Sequence, residues 1–434
     1  MAQSEEIKQL LHKLRFTFSN QFTLVCKALV VFGILLFCGS WFLKPTDAWQ
    51  ALLINCLFFG GISVGGLMFS VISTVTDSFW FRPMKRFGEA MAVFSLVCVV
   101  GFVLLFFSFH QLYVWADPNL LNPAKAAWLN IPSFILRHLL GYAFFAFLAF
   151  IYLKNSIVPD LRLAEKFQAG YDGSVFKSWL KKAEDIEKEK ESAYKKNKYL
   201  APWLGFTGGL ILSFLAFDWM MSADQNWFST MFGVQYVISS LIGAGAFLIV
   251  LSSFVQSKWQ LGEYQTIFRH HDLSKLTFAF TLLWTYMVFS QVLVIWYANM
   301  PEETPFMILR MKSVEWGWFF WVLFFVLFIF PFFGLMSRTA CRSPLFSSLV
   351  AIDLLLGLWL EKYFLIVPSM QENQILMHPE AGLHLSAPGW STFFTSFGLG
   401  LGFLSLFLLL FFRFLNKVPA LPISDNRLFK QDLH

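Results

Sequence analysis

The feature that most constrains this chain is a series of ten apolar stretches, each long enough to cross a bilayer. A membrane-crossing helix needs about 20 mostly apolar residues to cover a hydrocarbon core about 30 Å thick. Stretches near 22–43, 48–76, 87–107, 133–156, 200–221, 228–255, 276–298, 314–336, 346–368 and 391–415 meet that length. The expectation is an all-α integral membrane protein with ten transmembrane helices. Composition agrees. Only 14% of the 434 residues are charged, against about 25% in soluble domains. Phe supplies 55 residues and Trp 17, a bias that suits lipid-facing surfaces and interfacial aromatic belts. A disordered chain, a secreted disulfide scaffold and a nucleic-acid binder are excluded. The first stretch follows a polar start, is too long for a signal-peptide core and lacks a small-x-small exit, so it is expected to remain as a span.

The net charge of +6 reports topology once it is divided by side. With ten spans, both termini fall on one side. Loops on that side carry 26 Lys and Arg, and the opposite loops carry 4. By the positive-inside rule both termini are cytoplasmic. The chain then divides into a cytoplasmic N-terminus (1–21), spans 1–4 (22–156), a charged cytoplasmic segment (157–199), spans 5–10 (200–415) and a cytoplasmic C-terminus (416–434). In the charged segment, Glu184/Lys188 and Glu191/Lys195 stand at i,i+4 spacing, which predicts a solvated helix between Lys177 and Lys198. It is either a hairpin below the membrane or a docking surface for another subunit. The outer loops 108–132 and 369–390, with Pro, Asn and Trp and little positive charge, read as folded.

Redox ligands are missing from the pattern. The five cysteines, Cys26, Cys38, Cys56, Cys98 and Cys341, form no CxxC pair, as iron–sulfur or structural zinc ligation would need. Only His138 lies clearly within a span, so paired axial haem ligands are not available, and no CxxCH attaches a c-type haem. No Walker, GxSxG or HExxH sequence occurs. The chain is expected to bind no cofactor covalently or by metal ligation and to carry no electrons by itself.

Ionisable groups at bilayer depth are costly and are therefore candidate functional residues. On the cytoplasmic half these are Asp77 at the end of span 2, Glu89 in the first turn of span 3 and Asp353 two turns into span 9. On the outer half they are Arg137 and His138 in span 4, Asp218 near the end of span 5, Glu315 at the start of span 8, and Glu361 with Lys362 late in span 9. Asp353 and Glu361 share roughly one face, about 12 Å apart along the axis. Some have plainer readings. Glu89 and Glu315 open helices and complement the helix dipole, Asp77 can pair with Arg82 or Arg86, and Lys27 and Lys362 can snorkel. Asp353, Glu361, Asp218, Arg137 and His138 are harder to dismiss, as a proton relay or as the polar lining of a cavity.

Small residues mark close helix contacts. Span 2 reads Gly60-Gly61-Ile62-Ser63-Val64-Gly65-Gly66, and span 6 reads Ser239-Ser240-Leu241-Ile242-Gly243-Ala244-Gly245-Ala246. Both allow backbones to approach. They lie four spans apart with the same direction, which hints at a parallel repeat of four-helix units, spans 2–5 and 6–9.

Several sequences carry a family resemblance: Trp49-Gln50-Ala51-Leu52-Leu53 through Gly60-Gly61 to Arg82-Pro83-Met84-Lys85-Arg86, Phe217-Asp218-Trp219-Met220-Met221-Ser222 with Trp227-Phe228-Ser229-Thr230-Met231-Phe232-Gly233, and Ile295-Trp296-Tyr297-Ala298-Asn299-Met300-Pro301-Glu302-Glu303-Thr304. They resemble the polysulfide-reductase/NrfD-type membrane subunits. More narrowly, they resemble the second quinone-binding-type subunit of quinol:cytochrome c oxidoreductase, the alternative complex III of bacterial respiratory chains. The resemblance implies two four-helix bundles plus two flanking helices in the bacterial cytoplasmic membrane. It implies partners as well: an iron–sulfur/molybdopterin-like subunit, c-type cytochromes and a homologous quinone-binding subunit, with quinone or menaquinone as the possible ligand. Quinol is oxidised near the outer face in such complexes, and their membrane subunits are proposed to supply proton half-channels. By depth and residue type, the outer half-path here is Arg137, His138, Asp218 and Glu361, and the inner one Asp77, Glu89 and Asp353. A quinone head would meet Arg137, His138 and Asp218. The alternatives are a non-conducting scaffold subunit of the same complex and a secondary transporter, which expects paired helix interruptions at mid-membrane. Pro331 is the only proline deep within a span.

Overall fold

In lipid a backbone must satisfy its own hydrogen bonds, and the apolar stretches do so as helices. The structure, a computed structural model, describes residues 19–167, 186–257, 263–377, 385, 389–425 and 428. Its long helices are α1 Asn20–Leu43, α2 Pro45–Val75, α3 Arg82–Leu112, α4 Ile131–Lys166, α5 Ile186–Ala223, α6 Met231–Ser257, α7 Ile267–Ala298, α8 Gly317–Met336, α9 Pro344–Met377 and α10 Trp390–Lys417. Among the described residues no strand occurs. Nine of these helices are long and apolar enough to cross a membrane by length and composition. The tenth, α9, has 34 residues and holds Asp353, Glu361 and Lys362 within its apolar run. The protein is an all-α membrane protein of ten spans, as the sequence predicts.

The helices run past the apolar stretches where polar residues can continue them in water. Much of the 157–199 segment is the end of α4 and the start of α5, with Glu191 and Lys195 paired at 2.7 Å. Lys177 and Glu184 lie outside the described residues. In the loop 108–132 short turns bury Tyr113 and Trp115, as expected of a folded loop. Of the 369–390 loop, α9 takes residues up to Met377, and 378–384 and 386–388 lie outside the described residues. Helix ends follow local chemistry. Asn130 Oδ1 accepts the Ser133 N–H at 2.9 Å before α4, and Asp77 (φ 52°) and Asn299 (φ 48°) take left-handed conformations where α2 and α7 stop. Pro331 cannot donate within α8, and the preceding turn widens into a π-helix, Phe325–Ile329.

Packing repeats after four helices. In the first bundle α2 packs on α3 and α5, and α4 on α5; in the second, α6 packs on α7 and α9, and α8 on α7 and α9. Aromatic contacts join α3 to α4, with Phe109 and Phe134 at 4.9 Å. Between bundles α2 meets α6, while α5 meets α6 and α2 meets α9, a pair of contacts that exchange when every helix is advanced by four. α1 and α10 pair with each other and flank α2. Every residue of α2 from Ala48 to Val71 is buried, so this helix is the axis of the molecule. The two small-residue stretches face one another there. A Cβ on Gly65 would lie 2.5 Å from the Ser240 carbonyl oxygen, so only glycine allows this approach.

Candidate functional site

Two buried carboxylates occupy corresponding helices of the two bundles, Asp218 on α5 and Glu361 on α9. Below, "inner" denotes the end at which α1 begins and α10 stops.

Asp218 sits in a π-helical turn, Ala216–Met220, near the outer end of α5 and is fully buried. The widened turn aims its side chain at α4. Arg137 meets it with a two-pronged contact, Nε to Oδ2 at 2.7 Å and Nη2 to Oδ1 at 2.9 Å. Trp128 donates its indole N–H to Oδ1 at 2.9 Å, and the guanidinium lies 4.2 Å above the same indole ring. Such a fork satisfies both ions and fixes their geometry. His138, one residue on, places Nδ1 3.6 Å from Asp218 Oδ2 and 2.9 Å from the Phe134 carbonyl. A carbonyl only accepts, so the Nδ1 proton goes there and Nε2 is left as an acceptor. Nε2 is buried without a hydrogen-bond partner, as are Tyr142 Oη and Trp219 Nε1 beside it. Arg137, His138 and Asp218 therefore come together, behind a lid of Trp128.

Glu361 does not join them. It lies in the second bundle, near the middle of α9, held from three other positions: Trp284 Nε1 on α7 at 2.9 Å, Gln235 Nε2 on α6 at 3.2 Å and Ser239 Oγ on α6 at 2.8 Å. Lys362 completes the set with an ion pair to Oε2 and donates to Ser239 Oγ at 2.7 Å. Lys362 is 3% exposed. The expectation that it snorkels to the interface is corrected here, because α9 is central and turns this face inward. A small void walled by Tyr236, Ser239, Ser240 and Lys362 adjoins the pair.

The inner ends hold a second pair of corresponding clusters. In the first bundle Glu89 accepts from Arg86, from Ser156 Oγ at 2.7 Å and from Ser70 Oγ at 3.1 Å. Arg86 also pairs with Asp160 on α4, whose Oδ1 accepts the Ser424 N–H at 2.7 Å. In the second bundle His270 at the start of α7 is buried between Ser252 Oγ (2.9 Å, α6) and Ser347 Oγ (2.7 Å, α9). Ser347 donates to the Ser343 carbonyl at 2.8 Å, so it accepts from His270 Nε2–H. From His270 a buried polar stripe climbs α7 through Ser274, Thr277 and Thr281 to Trp284 and Glu361. The offsets of 4, 7, 11 and 14 residues keep one helical face.

Asp77 and Asp353 stand apart from these clusters. Asp77 lies just past α2 and pairs with Lys198 and Tyr194 of α5, partly exposed. Asp353 is half-buried, and its Oδ2 has no hydrogen-bond partner. Lys125 of the outer loop is held below the usual lysine range by burial, against the opposing pull of Asp224 and Glu302. Among the described residues no group of three or more His, Cys, Asp or Glu could hold a metal ion. No family model matches the sequence, and no curated protein matches it. Function therefore has to be argued from the site itself. Asp160, His270, Gln235 and Trp284 did not enter the sequence reading, and Arg86 and Ser239 entered it only as a possible partner of Asp77 and as a small residue of span 6. The α7 stripe had a signal in its spacing, whereas the Arg86–Asp160 pair joins residues 74 apart and had none.

Proposed function

We propose that this protein is a membrane subunit of a respiratory quinol:electron-acceptor oxidoreductase of the alternative complex III kind, and that its own share of the work is proton transfer. The observation that carries this reading is Glu361, a carboxylate buried in the membrane-spanning core and reached by a continuous polar stripe from His270. A buried ion pair is weak evidence for stability, and ionisable groups at this depth mark proton relays. The redox context rests on the resemblance of the Trp-Tyr-Ala-Asn and Phe-Asp-Trp sequences. It would place iron–sulfur and c-type cytochrome chains beside this one, in the bacterial cytoplasmic membrane. The 26-to-4 distribution of Lys and Arg supports cytoplasmic termini.

In this reading a proton enters at the inner end of the second bundle near His270, and Asp353 lies between Ser347 and Glu361 on α9. Water must bridge the stripe, because Ser274, Thr277 and Thr281 each donate to their own helix backbone, at 3.0, 2.9 and 3.0 Å. Glu361 is the group that binds and releases the proton. Glu361→Gln in the assembled complex is expected to lower coupled proton movement at least tenfold while the complex stays assembled with its haem and iron–sulfur chains. Undiminished proton movement would favour a scaffold. The scaffold reading has its own support at one place, the outer end of the first bundle, where the Asp218 carboxylate is saturated by Arg137 and Trp128. A quinone head could reach Asp218 only by displacing Trp128 or Arg137.

A further inference from the structure

Polar side chains continue outward from Glu361. Gln235 Nε2 donates to it at 3.2 Å, and Gln291 Nε2 on α7 donates to Gln235 Oε1 at 2.6 Å. One turn further along α7 stands Ile295, buried and apolar, and the outer end of the second bundle carries a three-layer stack. Trp227 lies flat on Phe306, with ring centres 3.8 Å apart and planes 3° from parallel, and the Arg310 guanidinium lies 3.6 Å from the Phe306 ring centre. Phe306 and Arg310 belong to the short helix Thr304–Met311 between α7 and α8.

Arg310 is 2% exposed. Its Nη1 donates to the Phe306 carbonyl at 3.1 Å, and its Nη2 donates to two groups of α9, the Leu365 carbonyl at 2.9 Å and Ser369 Oγ at 2.7 Å. Leu365 and Ser369 stand one and two turns outward of Glu361, about 6 and 12 Å along the axis, so the guanidinium lies between the level of Glu361 and the outer end. Among the described residues no carboxylate forms an ion pair with it, and its Nε has no hydrogen-bond partner. Asp224 and Glu372 act on it from beyond ion-pair distance; the first is half-buried and the second exposed, so water screens both. The first bundle differs at the corresponding place. On α5 the residue that meets the outer guanidinium is Asp218, whereas on α9 it is Ser369. The second bundle keeps a buried positive charge that the first one neutralises.

A fixed arginine in a narrow passage excludes protons and other cations by repulsion. We propose that Arg310 is an electrostatic barrier that closes the second bundle toward the outer side, so that Glu361 exchanges its proton with the inner end through the His270 stripe. The proposal rests on the reading of Glu361 as the proton-transfer group. Phe306 and Trp227 hold the guanidinium in place by stacking, and Ser369, standing where an aspartate would neutralise it, leaves its charge uncompensated.

The test is the passive proton leak of vesicles holding the assembled complex without quinol, driven by a potassium diffusion potential and read with an enclosed pH dye. Arg310→Gln should raise the leak about tenfold over wild type, the order expected when one charge about 10 Å from the path is removed at an effective dielectric constant of about 20. Arg310→Lys should keep it at the wild-type level. Ser369→Asp leaves Arg310 in place and supplies the missing carboxylate, so it should raise the leak as Arg310→Gln does, whereas Ser369→Asn, of the same shape and uncharged, should not. Adding Glu361→Gln to Ser369→Asp should return the leak to the wild-type level. A wild-type leak in Ser369→Asp, an equal rise in Ser369→Asn, or a leak that survives Glu361→Gln would overturn the proposal. A wild-type leak in Ser369→Asp together with lowered coupled proton movement in Glu361→Gln would overturn the barrier alone and leave the reading of Glu361 standing.

Discussion

The buried carboxylates of α5 and α9 illustrate opposite ways of keeping a charge away from water. Asp218 is closed off, with both oxygens occupied by one guanidinium and one indole. Removing one partner of a buried pair leaves an uncompensated charge and costs about 3–5 kcal/mol. Arg137→Ala should destabilise the protein by that order, read as a lower midpoint of unfolding in detergent. Arg137→Lys should lose part of it, because an ammonium cannot form the fork or stack on Trp128. Glu361 carries the same kind of liability together with Lys362. Glu361→Ala should destabilise strongly, whereas Glu361→Leu with Lys362→Met should recover most of the loss, since apolar replacements of a buried pair are often neutral or better. If the double variant were no more stable than Glu361→Ala, the pair would not be the reason for the loss.

At the scale of helices, the α2–α6 contact depends on glycine. The Gly65 position has the Ser240 carbonyl where a Cβ would sit, so Gly65→Val should cost upward of about 1–3 kcal/mol through forced separation of the backbones. Gly39, with open space around it, should accept Ala with the melting temperature unchanged. Unfolding followed by tryptophan fluorescence distinguishes the two. This contact was partly legible in the sequence: the small-residue stretches of spans 2 and 6 announced close packing, and their spacing of four spans announced the repeat. Nine of the spans were legible because apolar length and composition decide them. What the sequence could not supply was rotation. Lys362 was read as snorkelling because nothing in the chain tells which face of α9 meets α6. Glu361 was grouped with Asp218 by depth, although the two belong to different bundles. The polar stripe of α7 was written in the sequence at helical spacing, but Ser and Thr that bond their own helix backbone are ordinary in membrane helices, and the stripe gains meaning only from Glu361 at its end.

For the whole molecule, the fourfold advance that maps α2–α5 onto α6–α9 places a carboxylate cluster at depth and a polar cluster at the inner end of each bundle. The bundles have diverged in what fills these positions. The first holds a fixed Arg–carboxylate pair at depth and a charged cluster tied to the C-terminal segment through Ser424. The second holds a Glu–Lys pair at depth and a neutral histidine cluster below it. The proposed orientation, with cytoplasmic termini, rests on the charge count, and impermeant maleimide labelling of intact cells tests it, with the native cysteines replaced. Lys125→Cys should label from outside, and Lys190→Cys only after permeabilisation. The reverse result would invert the path. The central claim is that Glu361 changes protonation during turnover while Asp218 does not. Reaction-induced infrared difference spectroscopy of the reconstituted complex reads this directly. We predict a protonated-carboxyl band that responds to quinol oxidation, disappears in Glu361→Gln and persists in Asp218→Asn; a band unchanged in Glu361→Gln would contradict the account.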